Sequence, residues 1–115
     1  MKPALSVKVK FNRFSAIGRA MHGKVSAAVA ESTHALNTNI KLLIAQKGII
    51  DTGNYLNSWQ VSVEGLTGYA YSNVHYGPYQ EYGTHKMAAR PHVLPAANMT
   101  RPFFVSQVEK ALKAA

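Results

Sequence analysis

Apolar residues recur between Phe14 and Leu43 at spacings of three, four or their sums: Phe14, Ile17, Met21, Val25, Ala28, Leu36, Ile40 and Leu43, with Ser32 the one polar residue in the row. That period draws a stripe along one side of an α-helix and commits the chain to an amphipathic helix of about 30 residues. At 1.5 Å per residue such a helix measures about 45 Å, whereas a globule of this length is about 35 Å across. Two readings are open. The helix breaks at Gly18 or Gly23, each worth about 1 kcal/mol less than alanine, or part of it packs on a neighbouring subunit. Lys24 to Gln46 is firm under either reading, and Gly48 is placed to end the helix.

The other elements are those that can cover the stripe. Ser6 to Phe11 alternates, with Val7, Val9 and Phe11 on one face and Lys8 and Lys10 on the other, as in a half-buried edge strand. Asp51 or Thr52 can cap a short turn over Gly53 to Asn57. Trp59 to Glu64 alternates again, and Gly65-Leu66-Thr67-Gly68 is a hairpin connection to a returning strand over Tyr69 to Val74. Trp59 and a tyrosine of the strand pair are expected in the core. Pro102 argues against a long last helix, so Thr100 is the expected N-cap of a short one. The expected fold is α+β: a long N-terminal helix packed on a small antiparallel sheet, with short helical turns and a C-terminal helix, in one domain spanning residues 1–115.

Charge is unevenly spread. Residues 1–50 carry eight Lys or Arg and a single acid, Glu31, while residues 51–115 carry five basic and four acidic residues, for a total of +8. Lys8, Lys10, Arg13, Arg19 and Lys24 are therefore candidates for contact with DNA or with an acidic partner. No helix-turn-helix spacing and no aromatic pattern of an RNA-binding strand accompanies them, so a weak nonspecific affinity is the expectation. The absence of cysteine removes disulfides and thiolate chemistry. No apolar run is long enough to span a bilayer, and the charged N-terminal residues do not read as a secretory leader.

Aromatics, glycines and prolines concentrate in VHYGPYQEYGTHKMAARPHVLP, residues 74–95. Tyr76, Tyr79 and Tyr82 recur every third residue, which places them along one side of a helical turn, with Pro78 near its start and Gly83 at its stop. A domain this small does not bury all three, and exposed tyrosine beside arginine suits a protein interface. His85 to Pro91 reads as a loop carrying Lys86 and Arg90. Glu81 either caps or pairs locally, for example with Arg90, or forms an ion pair between subunits. The five histidines lack the close paired spacing of a metal site, and no nucleophile motif, phosphate loop or carboxylate pair occurs, so neither metal, cofactor nor catalytic residues are assigned.

Three segments stand in order: Thr52-Gly53-Asn54 with Leu56 and Ser58; Tyr76, Glu81, Gly83 and Thr84; and Arg90, Pro91, Pro95 and Ala96. Together they resemble the tail-completion, or head-tail joining (neck), proteins of tailed bacteriophages, over Asp51 to Ala97. Tyr55 adds one residue to the first segment, and Pro102 stands where the family's last helix commonly runs on. The resemblance implies a non-enzymatic virion protein, assembled in the host cytoplasm, that forms a ring, hexameric in the virion, between the head connector and the tail. It also implies neck and tail proteins as partners, with possible nonspecific contact with channel DNA and none with membrane. Tyr55, Tyr76, Tyr79, Glu81, Tyr82, Thr84, His85, Lys86 and Arg90 are the interface candidates; Thr52, Gly53, Asn54, Gly83, Pro91 and Pro95 are structural positions of the motif. A small basic nucleic-acid-binding protein and a minor tail component are the alternatives.

Overall fold

A computed structural model describes residues 5–10, 19–48, 52–75, 77–84 and 88–113. The elements run β1 (Leu5–Lys10), α1 (Arg19–Lys47), α2 (Thr52–Ser58), β2 (Gln60–Glu64), β3 (Thr67–Ser72), α3 (Gly77–Tyr82) and α4 (Val93–Lys113). The fold is α+β, with a long helix on a three-stranded antiparallel sheet of order β1-β3-β2.

The helical stripe is buried as its period requires. Val25, Ala28, Val29, Ser32, Thr33, Leu36, Ile40 and Ile44 are all inside, so the polar Ser32 shares the buried row. Gly48 takes the left-handed conformation (φ 59°) that closes α1. The helix continues through Gly23 without a break; Phe14, Ile17 and Gly18 lie outside the described residues. What covers its length is α4, which runs antiparallel to it. Ala96 joins Leu36 and Ile40 in one cluster, and Ala111 joins Val25 and Ala28 in another. Asn39 Nδ2 donates to Thr100 Oγ1 at 2.9 Å between the two helices.

The last helix is therefore long, 21 residues with Pro102 inside it, and the expectation of a short helix capped by Thr100 is corrected. Thr100 sits mid-helix, its Oγ1 donating back to the Ala96 carbonyl at 2.8 Å. Proline at 102 removes the bond to the carbonyl of Asn98, but both residues are exposed and water can reach that oxygen. Packing of Ala96 and Ala111 on either side of Pro102 holds the helix through it.

In the sheet, Val7 pairs with Ala70 and Val9 with Gly68, and across β2 the same two residues face Val61 and Val63. This face packs on α1. Gly68 belongs to the strand and not to the turn, because a methyl group there would come within 2.9 Å of Thr33 Cβ; its lack of a side chain lets the helix approach. The turn is only Gly65-Leu66, with Gly65 left-handed (φ 56°) and its carbonyl accepting from Ser26 Oγ at 2.8 Å. Trp59 is core as expected. Tyr69 and Tyr71 are not: they lie half-buried on the opposite face, where Lys8 Nζ stands 5.8 Å from the Tyr69 ring centre.

Candidate functional site

The three sequence segments meet at one place. Tyr55 of α2 is fully buried, edge-on to Trp59 (6.2 Å between ring centres) and to His92 (5.4 Å). Gly77, which opens α3, has no side chain where Tyr55 lies: a Cβ there would stand 3.1 Å from the Tyr55 hydroxyl. Tyr55 is thus a core residue, which corrects its assignment as an interface candidate. An apolar ring with one polar tip can be buried when that tip finds a partner, and here it does, 2.7 Å from His92 Nε2.

Glu81, on α3, solves a problem posed by α4. Arg90-Pro91-His92 offers no Ser, Thr, Asp or Asn to cap the helix, yet the first N–H groups of a helix have no partner within it. The Glu81 carboxylate takes them. The N–H groups of His92 and Val93 donate to Oε1 at 2.8 Å each, and that of Leu94 donates to Oε2 at 3.2 Å. Pro95, next in line, has no N–H, and Ala96 N–H donates to the His92 carbonyl at 3.2 Å. Every donor of the first turn is satisfied, and a negative charge sits on the positive end of the helix dipole. Glu81 is 6% exposed, and of the roles open to it the local cap is the one the hydrogen bonds show; Arg90 bonds elsewhere.

His92, wholly buried, fixes the geometry. Its Nδ1 lies 2.9 Å from the Arg90 carbonyl and 3.3 Å from Glu81 Oε1. The carbonyl can only accept, so Nδ1 carries the proton; in the neutral ring Nε2 then accepts from the Tyr55 hydroxyl. Arg90 itself turns the other way, Nη1 donating to the Gly48 carbonyl at 2.9 Å, which ties the end of α1 to the start of α4. Ser58 gives the first motif its anchor: its Oγ donates to the Tyr55 carbonyl, receives Ser72 Oγ at 2.7 Å, and Ser72 Oγ accepts Val74 N–H at 3.2 Å.

α3 itself begins with Gly77 N–H donating to the Val74 carbonyl (3.1 Å), and ends with Gly83, left-handed at φ 76°, whose N–H donates to the Tyr79 carbonyl (2.8 Å). It presents Tyr79 and Tyr82 outward, 53% and 74% exposed, as expected of a surface turn. Thr84 follows on the surface, as do Gly53 and Asn54 on α2 and Pro91 before α4. Tyr76, His85, Lys86 and Arg13 lie outside the described residues. Of the basic candidates, Lys8 and Lys24 are exposed; Lys10 pairs with Thr67 at the end of β1, Arg19 begins α1 and Thr52 begins α2.

A tyrosine, a histidine and a carboxylate in contact suggest acid–base chemistry on composition alone. Here the hydroxyl and imidazole are sealed from solvent and the carboxylate is filled by backbone donors. What the arrangement does is hold three segments in register. Among the described residues no group of three or more His, Asp or Glu side chains converges as a metal site would. The irregular spacing of the histidines gives His92 no role. The signal that could have found the joint is the missing N-cap before Val93, next to a proline in the first turn. Comparison with family models, with curated proteins and with solved structures returned no match.

Proposed function

We propose that the chain is a structural protein of a tailed-phage virion, completing or joining the tail at the head-tail interface as a homo-oligomeric ring and working without catalysis. The observation that carries this reading is the convergence of the three motif segments on Tyr55, Glu81 and His92. Their residues are used for rigidity, and the turn they support presents Tyr79 and Tyr82 to a neighbour. Such a protein acts by shape, holding its contact surfaces at fixed angles. Electron microscopy of particles assembled without it tests the reading: separate heads and tails are expected, and normally joined particles would overturn it.

A second reading, a basic nucleic-acid-binding protein, draws on the outer sheet face. Tyr69 and Tyr71 lie there beside Lys8, and tyrosine with lysine on an open strand can stack bases and meet phosphates. Nanomolar affinity for DNA at physiological salt, with no virion association, would favour it; weak binding that salt abolishes fits incidental contact with channel DNA.

A further inference from the structure

We propose that α4 pairs with α4 of a second copy, antiparallel about a two-fold axis beside Val105. The contact does not rest on the ring reading: a two-fold contact closes after two copies and cannot by itself propagate a ring.

The helix buries its small residues and shows large ones. Ala96, Thr100 and Ala111 are its buried residues, packed toward α1, while Leu94, Val105 and Leu112 are 64%, 48% and 41% exposed. These three are not scattered. With Asn98, Arg101 and Glu109, which are also exposed, they make a row in which each residue follows the last by three or four positions. On a helix that spacing is one continuous stripe, the surface against which a second helix packs.

The charges on the stripe say which helix. Arg101 and Glu109 stand one on each side of Val105 at equal spacing, and among the described residues neither is in an ion pair. In an antiparallel pair centred on Val105, Arg101 of each copy comes level with Glu109 of the other, so the match is made twice. Leu112 then falls level with Asn98 of the second copy, between its Leu94 and Arg101, as a knob enters a hole. A parallel pair sets arginine against arginine and glutamate against glutamate, which is unfavourable. The stripe therefore complements itself in one orientation only. It is also neutral, one cation to one acid, within a chain of net charge +8 whose other surfaces repel their copies. That balance speaks against a nucleic acid as the occupant. A contact along one helix face falls below the roughly 1,200 Å² of a standard interface, which makes the pair weak and reversible.

Sedimentation equilibrium of the full chain tests the proposal. The wild type should dimerise as its concentration rises. Arg101→Glu sets glutamate against glutamate and should raise the dissociation constant at least about tenfold, and Glu109→Arg in the same chain should bring it back. Both positions are exposed, so the urea midpoint of the dilute protein should not move. Cysteine trapping is an independent arm, since the chain has no cysteine of its own. Val105→Cys lies on the axis, and oxidation should link copies in pairs and no further, faster than the exposed Ser106→Cys one position round the helix. A wild type that stays monomeric up to millimolar concentration overturns the proposal. So does an Arg101→Glu variant that associates like the parent, as parallel pairing would allow, or a defect that Glu109→Arg does not repair. A larger ring that forms with none of these effects overturns the pairing and leaves the ring reading standing.

Discussion

Glu81→Ala is the sharpest perturbation of this fold, because one carboxylate serves three backbone donors at 2.8, 2.8 and 3.2 Å. The Leu94 N–H lies at an exposed residue, where water can replace the carboxylate; His92 is fully buried and Val93 partly so. Leaving two such donors unpaired costs about 1–3 kcal/mol each, and the charge at the helix N-terminus adds a fraction more, for a total of about 4 kcal/mol. Against a stability of about 5–15 kcal/mol for a domain of this size, that is a large share. Glu81→Gln keeps an acceptor oxygen but turns an amide NH2 toward N–H donors, so about half the loss is expected.

Urea denaturation followed by circular dichroism reads both variants. With a slope of about 2 kcal/mol per molar, the midpoint should fall by about 2 M for alanine and 1 M for glutamine, at unchanged slope. Hydrogen exchange should show protection lost first at Val93 to Ala97, ahead of the sheet. The effect should not depend on protein concentration or salt, which separates a cap inside one chain from an ion pair between subunits. An alanine variant within about 0.5 kcal/mol of the parent, as for an ordinary surface change, would refute the capping assignment.

Three further outcomes follow from the packing. Tyr55→Phe deletes the hydroxyl 2.7 Å from His92 Nε2 and should cost about 1–2 kcal/mol, lowering the thermal midpoint by roughly 4–8 °C; an unchanged midpoint would show that the contact contributes nothing. Gly68→Ala drives a methyl into Thr33 and should destabilise by about 2 kcal/mol or more, with Thr33→Ala in the same chain recovering at least half; additive losses in the double-mutant cycle would refute the contact. Pro102→Ala, in the exposed part of α4, should stabilise by about 1–3 kcal/mol by restoring a helical bond, and a loss instead would mean that the helix needs the bend proline gives it.

What could be read from the sequence is what depends on near neighbours. The buried row from Val25 to Ile40, the alternation of Val7 and Val9, and the stop signals at Gly48 and Gly83 each express a period or a backbone preference within a few residues. Pro102 and Gly68 misled for the opposite reason. Each has a strong local preference, against helix and against strand, that a tertiary neighbour overrides: α1 along α4 in one case, Thr33 above the sheet in the other. Underestimating α4 also left α1 looking too long for its domain, since the partner covering it had been cut short. The joint was harder still. Tyr55 and His92 are 37 residues apart, and Glu81 is 11 from His92, so no periodicity links them.

The joint also changes which surface a neighbour can read. A motif rich in tyrosine, glutamate, histidine and arginine looks like a recognition surface, yet Tyr55, Glu81 and His92 face inward and Arg90 reaches the end of α1. Their substitution should act through stability first, with assembly lost only as the fold is lost. On the ring reading, assembly without loss of fold should instead be abolished from Tyr79 and Tyr82 on α3, because those side chains are exposed and are not part of the fold's support. A folded Tyr79→Ala/Tyr82→Ala variant that still assembles as the parent does would refute the assignment of α3 to the contact between copies.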